Sequence, residues 1–309
     1  MRHIWYYLAS FFREEFNWKY YLTLAIFLGI CIYFNYQLNF EDGILRGFSH
    51  TPIHSLLVFI YYAIPYYFAA LNYAYFYKRF DFVQSIKFWG ISLFGISILT
   101  MNETFYLHRP IIESFFPVLS EYRFVKKCAN NLVSFSIYLV PMVGYWYWVD
   151  RKKMPLYGFS NINFDPRPYG IMLLIMIPLI GWASFQPDFL EHYPIYNDFG
   201  ASTYWETSPI ANVVVFEFLY GLDFVTIELF FRGFLIMALA GIMGKAVVMP
   251  MVCLYCVFHF GKPMAESISS IFGGLILGII AYYSRSIYGG ICIHLGVAYL
   301  MEIAAFVQK

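Results

Sequence analysis

The chain contains repeated apolar segments about as long as a membrane crossing, and this feature restricts its possible folds more than any other. A helix needs about 20 mostly apolar residues to cross the hydrocarbon core of a bilayer. The predicted spans are 20–38, 53–76, 87–107, 131–149, 169–186, 208–241, 246–260, 266–284 and 287–307. The sequence therefore predicts an all-α, polytopic transmembrane helical bundle of about nine spans.

The composition supports a membrane protein. Of the 309 residues, 61% are hydrophobic and only 13% are charged, whereas soluble domains carry about 25% charged residues. The formal net charge of +1 lacks the excess of basic residues that nucleic-acid binding requires. The predicted partner is therefore the lipid bilayer, and no nucleic-acid partner is expected.

Two segments need separate comment. Residues 1–18 carry aromatic and apolar side chains on one side and charged ones on the other, which predicts an amphipathic helix lying at the membrane interface. The segment 208–241 is too long for one perpendicular crossing, because a helix of that length covers about 50 Å at 1.5 Å per residue. We expect it to be strongly tilted or broken near Tyr220-Gly221.

The orientation is predicted from lysine and arginine, which accumulate on the cytoplasmic side of a membrane. Their placement favours a cytoplasmic N-terminus, in what we expect to be the cytoplasmic membrane of a bacterium. The segment 108–130 is an exception, since it is basic but falls on the outer side. We expect this segment to be bent and amphipathic and to lie at the membrane surface.

Placing a charged or strongly polar side chain inside the membrane costs free energy, so such a residue by default marks a functional site. Glu228 and Arg232 are four residues apart, so they share a helix face and can form an ion pair. A turn predicted at Met243-Gly244-Lys245 would bring Glu228 level with His259.

The same turn would place Arg232 level with Tyr255. His294 would enter the same layer from the last span. The sequence therefore predicts one polar pocket formed by three helices.

The spacing of these residues is similar to that of a known family. The run IELFFRG at 227–233 resembles its EExxxR-G motif, and YCVFH at 255–259 resembles its FxxxH motif. A glycine-rich run at 272–278 and His294, as the histidine of HxxxN, complete the resemblance. It points to the CPBP family (CAAX-prenyl endopeptidases and bacteriocin-processing proteins, also called Abi).

The resemblance implies an intramembrane endopeptidase without a cofactor, acting on a peptide or membrane-protein substrate. In this family a glutamate activates water for attack on a peptide carbonyl. Carried over, Glu228 would be the activating carboxylate and Arg232 would orient it. His259 would hold or deprotonate the water, and His294 would donate to the developing oxyanion.

The chain departs from the family pattern at two positions. Ile227 stands where the first glutamate of EExxxR is expected, and Ala298 replaces the asparagine of HxxxN. Residues that could take an accessory role at the pocket are Glu302, Glu266, Tyr255 and Glu217. The resemblance is confined to a core predicted at 207–309, and it leaves an N-terminal transmembrane region at 1–206 uncovered.

Other functions remain open at this stage. A catalytically impaired relative could act as a membrane binding, scaffold or immunity protein, and a proton-coupled transporter would also carry acids and histidines at mid-membrane. Glu228, His259 and His294 could form a three-ligand zinc site, although the chain has no HExxH motif. Cys253 and Cys256 lack a second cysteine pair and are expected to be small buried residues.

Overall fold

The computed structural model describes residues 2–49, 51–161 and 164–309, and within those ranges it is all-α, with no strand. The α-helices are α1 (Arg2–Glu15), α2 (Trp18–Leu38), α3 (Pro52–Tyr77), α4 (Ile86–Thr104), α5 (His108–Phe115), α6 (Leu119–Tyr145), α7 (Arg167–Ala183), α8 (Pro187–His192), α9 (Ala201–Tyr204), α10 (Pro209–Glu228), α11 (Leu239–Met243), α12 (Val248–Phe258), α13 (Met264–Ser284) and α14 (Tyr288–Gln308). Wider π-helical turns occupy Phe40–Leu45, Trp146–Asp150 and Leu229–Ala238.

The chain is a multi-pass membrane protein, but the count of about nine spans is not confirmed. Among the described residues, six helical segments are long and apolar enough to cross a bilayer. One of them, Pro209–Phe258, contains two of the predicted spans. The segments predicted at 87–107 and 169–186 form α4 and α7, which do not meet that criterion, and α7 has only 17 residues.

The break predicted near Tyr220-Gly221 in the long segment 208–241 is wrong. Helix α10 passes through both residues, which are buried. A Cβ atom at Gly221 would lie 2.4 Å from the Tyr299 hydroxyl of α14, so this glycine serves the close approach of two helices. The change in helix type comes later, at Leu229, where the π-helical turns begin.

The predicted turn at 243–245 is confirmed. Helix α11 ends at Met243, and Gly244 adopts φ 63° and ψ −137°, a conformation that only glycine reaches without strain. The chain reverses there, and α12 packs between α3 and α13. Cys253 and Cys256 are free, fully buried thiols inside α12, as expected of small core residues.

The N-terminal helix is shorter than the predicted 1–18, and residue 1 lies outside the described residues. Helix α1 ends at Glu15 because Asn17 begins a new helix, its side chain accepting a hydrogen bond from the Lys19 amide at 3.1 Å. Ile4 and Phe11 are buried, while Trp5 is 74% exposed. The helix packs on α13, where the rings of Tyr7 and Tyr283 stack.

Gly233 lies where the π-helical turns meet the backbone of Tyr157. A Cβ atom at this position would lie 2.7 Å from the Tyr157 carbonyl oxygen. We expect Gly233→Ala to lower the free energy of unfolding by about 1–3 kcal/mol, because a backbone atom cannot move aside cheaply. Thermal unfolding in detergent measures the effect. Gly273→Ala, at a helical glycine with open space around it, is the matched control, and equal stability of both variants would contradict the prediction.

Candidate functional site

An ion pair buried between helices forms the centre of the site. Glu228 is the last residue of α10, and its Oε1 atom lies 2.9 Å from Nη1 of Arg232, one turn further on. Both residues are 0% exposed. His294 of α14 reaches the same carboxylate oxygen, with its Nδ1 atom at 2.9 Å. Two of the other predicted catalytic residues, Arg232 and His294, therefore both contact the Glu228 carboxylate.

Tyr255 connects the ion pair to the fourth residue. The Arg232 guanidinium lies 4.0 Å above the Tyr255 ring, which confirms that the two residues are level. The Tyr255 hydroxyl lies 3.5 Å from Nε2 of His294, and the ring centroids of Tyr255 and His259 are 4.4 Å apart. His259 and Glu228 thus share one cluster, in which Tyr255 lies between the two imidazoles.

The hydrogen bonds determine which nitrogen of each imidazole stays free. Nδ1 of His259 faces the Tyr255 backbone oxygen at 2.8 Å, and Nδ1 of His294 faces the Glu228 carboxylate. Both acceptors require a proton on Nδ1, so each neutral ring keeps its lone pair on Nε2. The cluster therefore contains two imidazoles that can accept a proton or bind a polar group through Nε2.

Gly290 is a site residue that the motifs did not indicate. A Cβ atom there would lie 2.1 Å from Oε2 of Glu228. The absence of a side chain lets α14 approach the carboxylate closely enough for His294, one turn further along, to reach it. The sequence signal was a Gly-Gly pair four residues before an intramembrane histidine.

The N-terminal region contributes a second group of residues that the sequence did not indicate. Helix α12 ends at Phe258, and the backbone carbonyls of the turn that follows it need hydrogen-bond partners from elsewhere. Asn35 donates to the carbonyl of Phe260 at 3.2 Å, and Tyr36 donates to that of Lys262 at 2.7 Å. Ser267 donates to the His259 carbonyl at 2.5 Å. These side chains hold the turn that carries His259.

Glu41 completes this group and introduces a pH dependence. Its backbone amide donates to Asn35, and its carboxyl group accepts from the Tyr61 hydroxyl at 3.2 Å. Glu41 lies outside the spanning helices. Burial, reinforced by Glu103, raises the pKa of its carboxyl group to about 7, although Arg46 lowers it. The folded protein therefore keeps Glu41 protonated up to a higher pH than the unfolded chain does.

We expect stability to fall as the pH rises from about 4.5 to 7, because over that window the folded state holds a proton that the unfolded state releases. A pKa difference of this size corresponds to about 3 kcal/mol of unfolding free energy. Thermal unfolding at pH 5 and pH 8 should show this loss in the parent protein and a clearly smaller loss in Glu41→Gln. Exposed Glu113 provides the control variant Glu113→Gln, and an unchanged slope in Glu41→Gln would refute the prediction.

Glu302, predicted as an accessory residue of the pocket, is engaged in holding a loop. Its two carboxylate oxygens accept hydrogen bonds from the backbone amides of Ile195 and Tyr196, at 2.7 and 3.2 Å. Lys127 of α6 donates to the Ile195 carbonyl. The segment between α8 and α9 is thereby fastened to α14 and α6.

The other two accessory candidates also lie beside this loop. Glu266 accepts a hydrogen bond from the Tyr193 hydroxyl at 2.8 Å. It is not on a continuous helix with His259, since α12 ends at Phe258 and α13 begins at Met264. The Glu217 carboxyl group is close to the Glu302 carboxyl group and to the Lys127 ammonium group. No hydrogen bond or ion pair among the described residues connects either acid to the Glu228 cluster.

We expect Glu302→Ala to free the loop, because two half-buried backbone amides lose their acceptors. Hydrogen–deuterium exchange of the amides at 193–199 should accelerate by at least about tenfold. Glu191→Ala removes an exposed acid of the neighbouring helix α8 and serves as the control. Exchange that stays at the parent rate in Glu302→Ala would contradict this role.

The two positions predicted to depart from the family pattern both face apolar surroundings. Ile227 packs against the main hydrophobic core. Ala298 is 5% exposed and belongs to a buried apolar cluster with Phe216 and Tyr220. Neither position therefore presents a polar group to the Glu228 cluster.

A zinc ion bound by Glu228, His259 and His294 would need a free ligand atom from each residue, arranged around one point. In the part of the chain that the structure describes, no three His, Cys, Asp or Glu residues are arranged to hold a metal ion. Glu228 and His294 direct their donor atoms at each other, so a metal would have to replace that hydrogen bond. Independence from a cofactor stays a prediction.

Fold and site together define a class: an α-helical multi-pass membrane protein with a buried Glu, Arg and two His in one cluster. Residues 209–300 match the family described as Type II CAAX prenyl endopeptidase Rce1-like. This segment is a CPBP-family domain, the family of intramembrane endopeptidases whose motifs the chain resembles. Comparisons with curated proteins and with solved structures returned no match.

The matched segment contains all four predicted catalytic residues and Tyr255, but neither Glu302 nor the residues of α2 that hold the His259 turn. The division of the chain at 206–207 and the orientation in the membrane stay predictions.

Proposed function

We propose that the chain is an intramembrane endopeptidase that hydrolyses a peptide bond of a membrane or membrane-proximal peptide, and that Glu228 activates water through His294. The observation that supports this most directly is the 2.9 Å hydrogen bond between Glu228 Oε1 and His294 Nδ1. A carboxylate in this position fixes the tautomer of an imidazole and stabilises its protonated form.

This role for Glu228 is less direct than the one implied by the family motifs. Glu228 is fully buried, and its Oε2 atom faces Gly290, so a water shared with a peptide has better access to His294, whose side chain is 15% exposed. Arg232 would hold the Glu228 carboxylate in its orientation toward His294.

The proposed reaction balances as a hydrolysis. Nε2 of His294 takes one proton from water while the water oxygen attacks the carbonyl carbon. The Tyr255 hydroxyl, 3.5 Å from Nε2, donates to the oxyanion. The imidazolium then passes its proton to the amide nitrogen as the C–N bond breaks, leaving a carboxylic acid and an amine. Nε2 of His259 would accept the second hydrogen of the water.

A second candidate is a family member that binds a membrane partner without cleaving it. The apolar surroundings of Ile227 and Ala298 favour this function, because they remove two polar groups that the family places at the reaction centre. Under this proposal the Glu228–Arg232 pair would serve helix packing alone. The substitutions Ile227→Glu and Ala298→Asn would then create proteolysis where the parent has none.

The test compares proteolysis by the parent and by His294→Gln in the membranes of an expression host. Mass spectrometry of protein termini should detect new cleavage products with the parent. We expect His294→Gln to reduce them by about 10²–10⁴-fold, the usual contribution of a general base. His259→Gln should also reduce them.

The control variant is His3→Gln, which changes an exposed histidine of α1 and should retain full cleavage. Thermal unfolding in detergent checks that each variant is folded. Identical termini with the parent and with folded His294→Gln would reject the proposed peptidase mechanism and leave the binding function.

A further inference from the structure

A polar cavity of about 430 Å³ lies on another face of α10 from the Glu228 cluster, with which it shares no residue. It is formed by the end of α4, by α5, by the middle of α6 and by Asp223 of α10. Asp223 precedes Glu228 by five residues, which places it about 140° around the helix. The cavity is therefore a separate site from the proposed reaction centre.

Several buried polar atoms on its walls have no hydrogen-bond partner among the described residues. Two are donors, Nε of Arg109 and Nδ2 of Asn131. One is an acceptor, Oδ1 of Asp223. His108 provides a second acceptor, because its Nε2 atom is used by Asn130 Oδ1 at 2.7 Å, which leaves the Nδ1 lone pair free. Buried polar groups without partners are rare and costly, so this set indicates a ligand.

The charges of the cavity define what that ligand must carry. Arg46, also on the wall, is already paired with Asp42 at 2.5 Å and with Glu103 at 3.8 Å. Arg109 has no carboxylate within ion-pair distance in the described ranges, and neither has Asp223 a cation. A molecule with one anionic and one cationic group pairs with both, whereas a simple anion or cation leaves one of the two without a partner.

Helix α5 indicates that the ligand comes from the membrane. Leu107, Ile111 and Phe115 follow one another at intervals of four residues and are 73%, 58% and 76% exposed. They form an unpartnered apolar stripe on an eight-residue helix whose His108 and Arg109 line the cavity. Such a helix lies at the interface with its apolar side toward acyl chains, which places the cavity at headgroup depth.

We propose that this cavity binds the headgroup of a zwitterionic phospholipid with a primary ammonium group. Arg109 and Asn131 donate to the phosphate oxygens, and the ammonium group donates to Asp223 and His108. The acyl chains lie along the stripe of α5. A quaternary ammonium group lacks N–H donors and is bulkier, so the site distinguishes ethanolamine from choline headgroups.

The experiment titrates purified full-length protein in detergent with dioleoyl-phosphatidylethanolamine or dioleoyl-phosphatidylcholine, and measures retained lipid by native mass spectrometry and Tm by thermal unfolding. The parent should bind the ethanolamine lipid about tenfold or more tightly than the choline lipid, as expected for a hydrogen bond to a charged group. Asp223→Asn should abolish this preference. Arg109→Gln should weaken both lipids.

Arg151→Gln is the matched control, because Arg151 lies 4.3 Å over Tyr147 much as Arg109 lies 4.2 Å over Tyr106, but away from the cavity. It should bind both lipids like the parent. Equal affinity of the parent for both lipids would overturn the proposal, whether or not the variants fold. Soluble glycerophosphoethanolamine binding as tightly as the ethanolamine lipid would also overturn it, since the cavity would then take a free zwitterion rather than a membrane lipid.

Discussion

The ion pair between Glu228 and Arg232 is the constraint on which the rest of the site depends. Two charges without access to water are each costly to desolvate, and the mutual attraction that offsets this cost operates only at close range. Their spacing of four residues places them on one helix face. Because neighbouring residues on a helix point about 100° apart, a helix rotated to bring Glu228 toward α14 turns Ile227 into the apolar core.

This rotation has consequences for the chemistry. Glu228 meets His294 instead of an open cavity, and Gly290 provides the room for that contact. A carboxylate that is shielded from water in this way is suited to fixing the tautomer of an imidazole and stabilising its protonated form. The apolar surroundings of Ile227 and the geometry of the histidine pair are therefore two aspects of one arrangement.

The matched domain does not build the site alone. His259 directly follows the 11-residue helix α12, in a turn whose carbonyls accept hydrogen bonds from Asn35 and Tyr36 of α2 and from Ser267 of α13. Helix α10 likewise presents two functional faces, with Glu228 on one and Asp223 on the other. The N-terminal 200 residues thus contribute to the turn that carries His259 and form most of the second, polar cavity.

The sequence by itself determined that the protein is a helical membrane protein and that the chain turns at 243–245. It also determined that Arg232 and Tyr255 lie at the same depth in the bundle. These follow from local quantities: the length of apolar runs, the conformation that glycine permits and the rise of a helix per residue. Only the tertiary structure decided that α10 continues through Tyr220 and Gly221 and that Glu302 holds a loop. It also revealed the polar side chains of α2 that bind the turn after α12. Each of these depends on contacts between residues about 80 to 230 positions apart, and spacing along one helix carries no information about such partners.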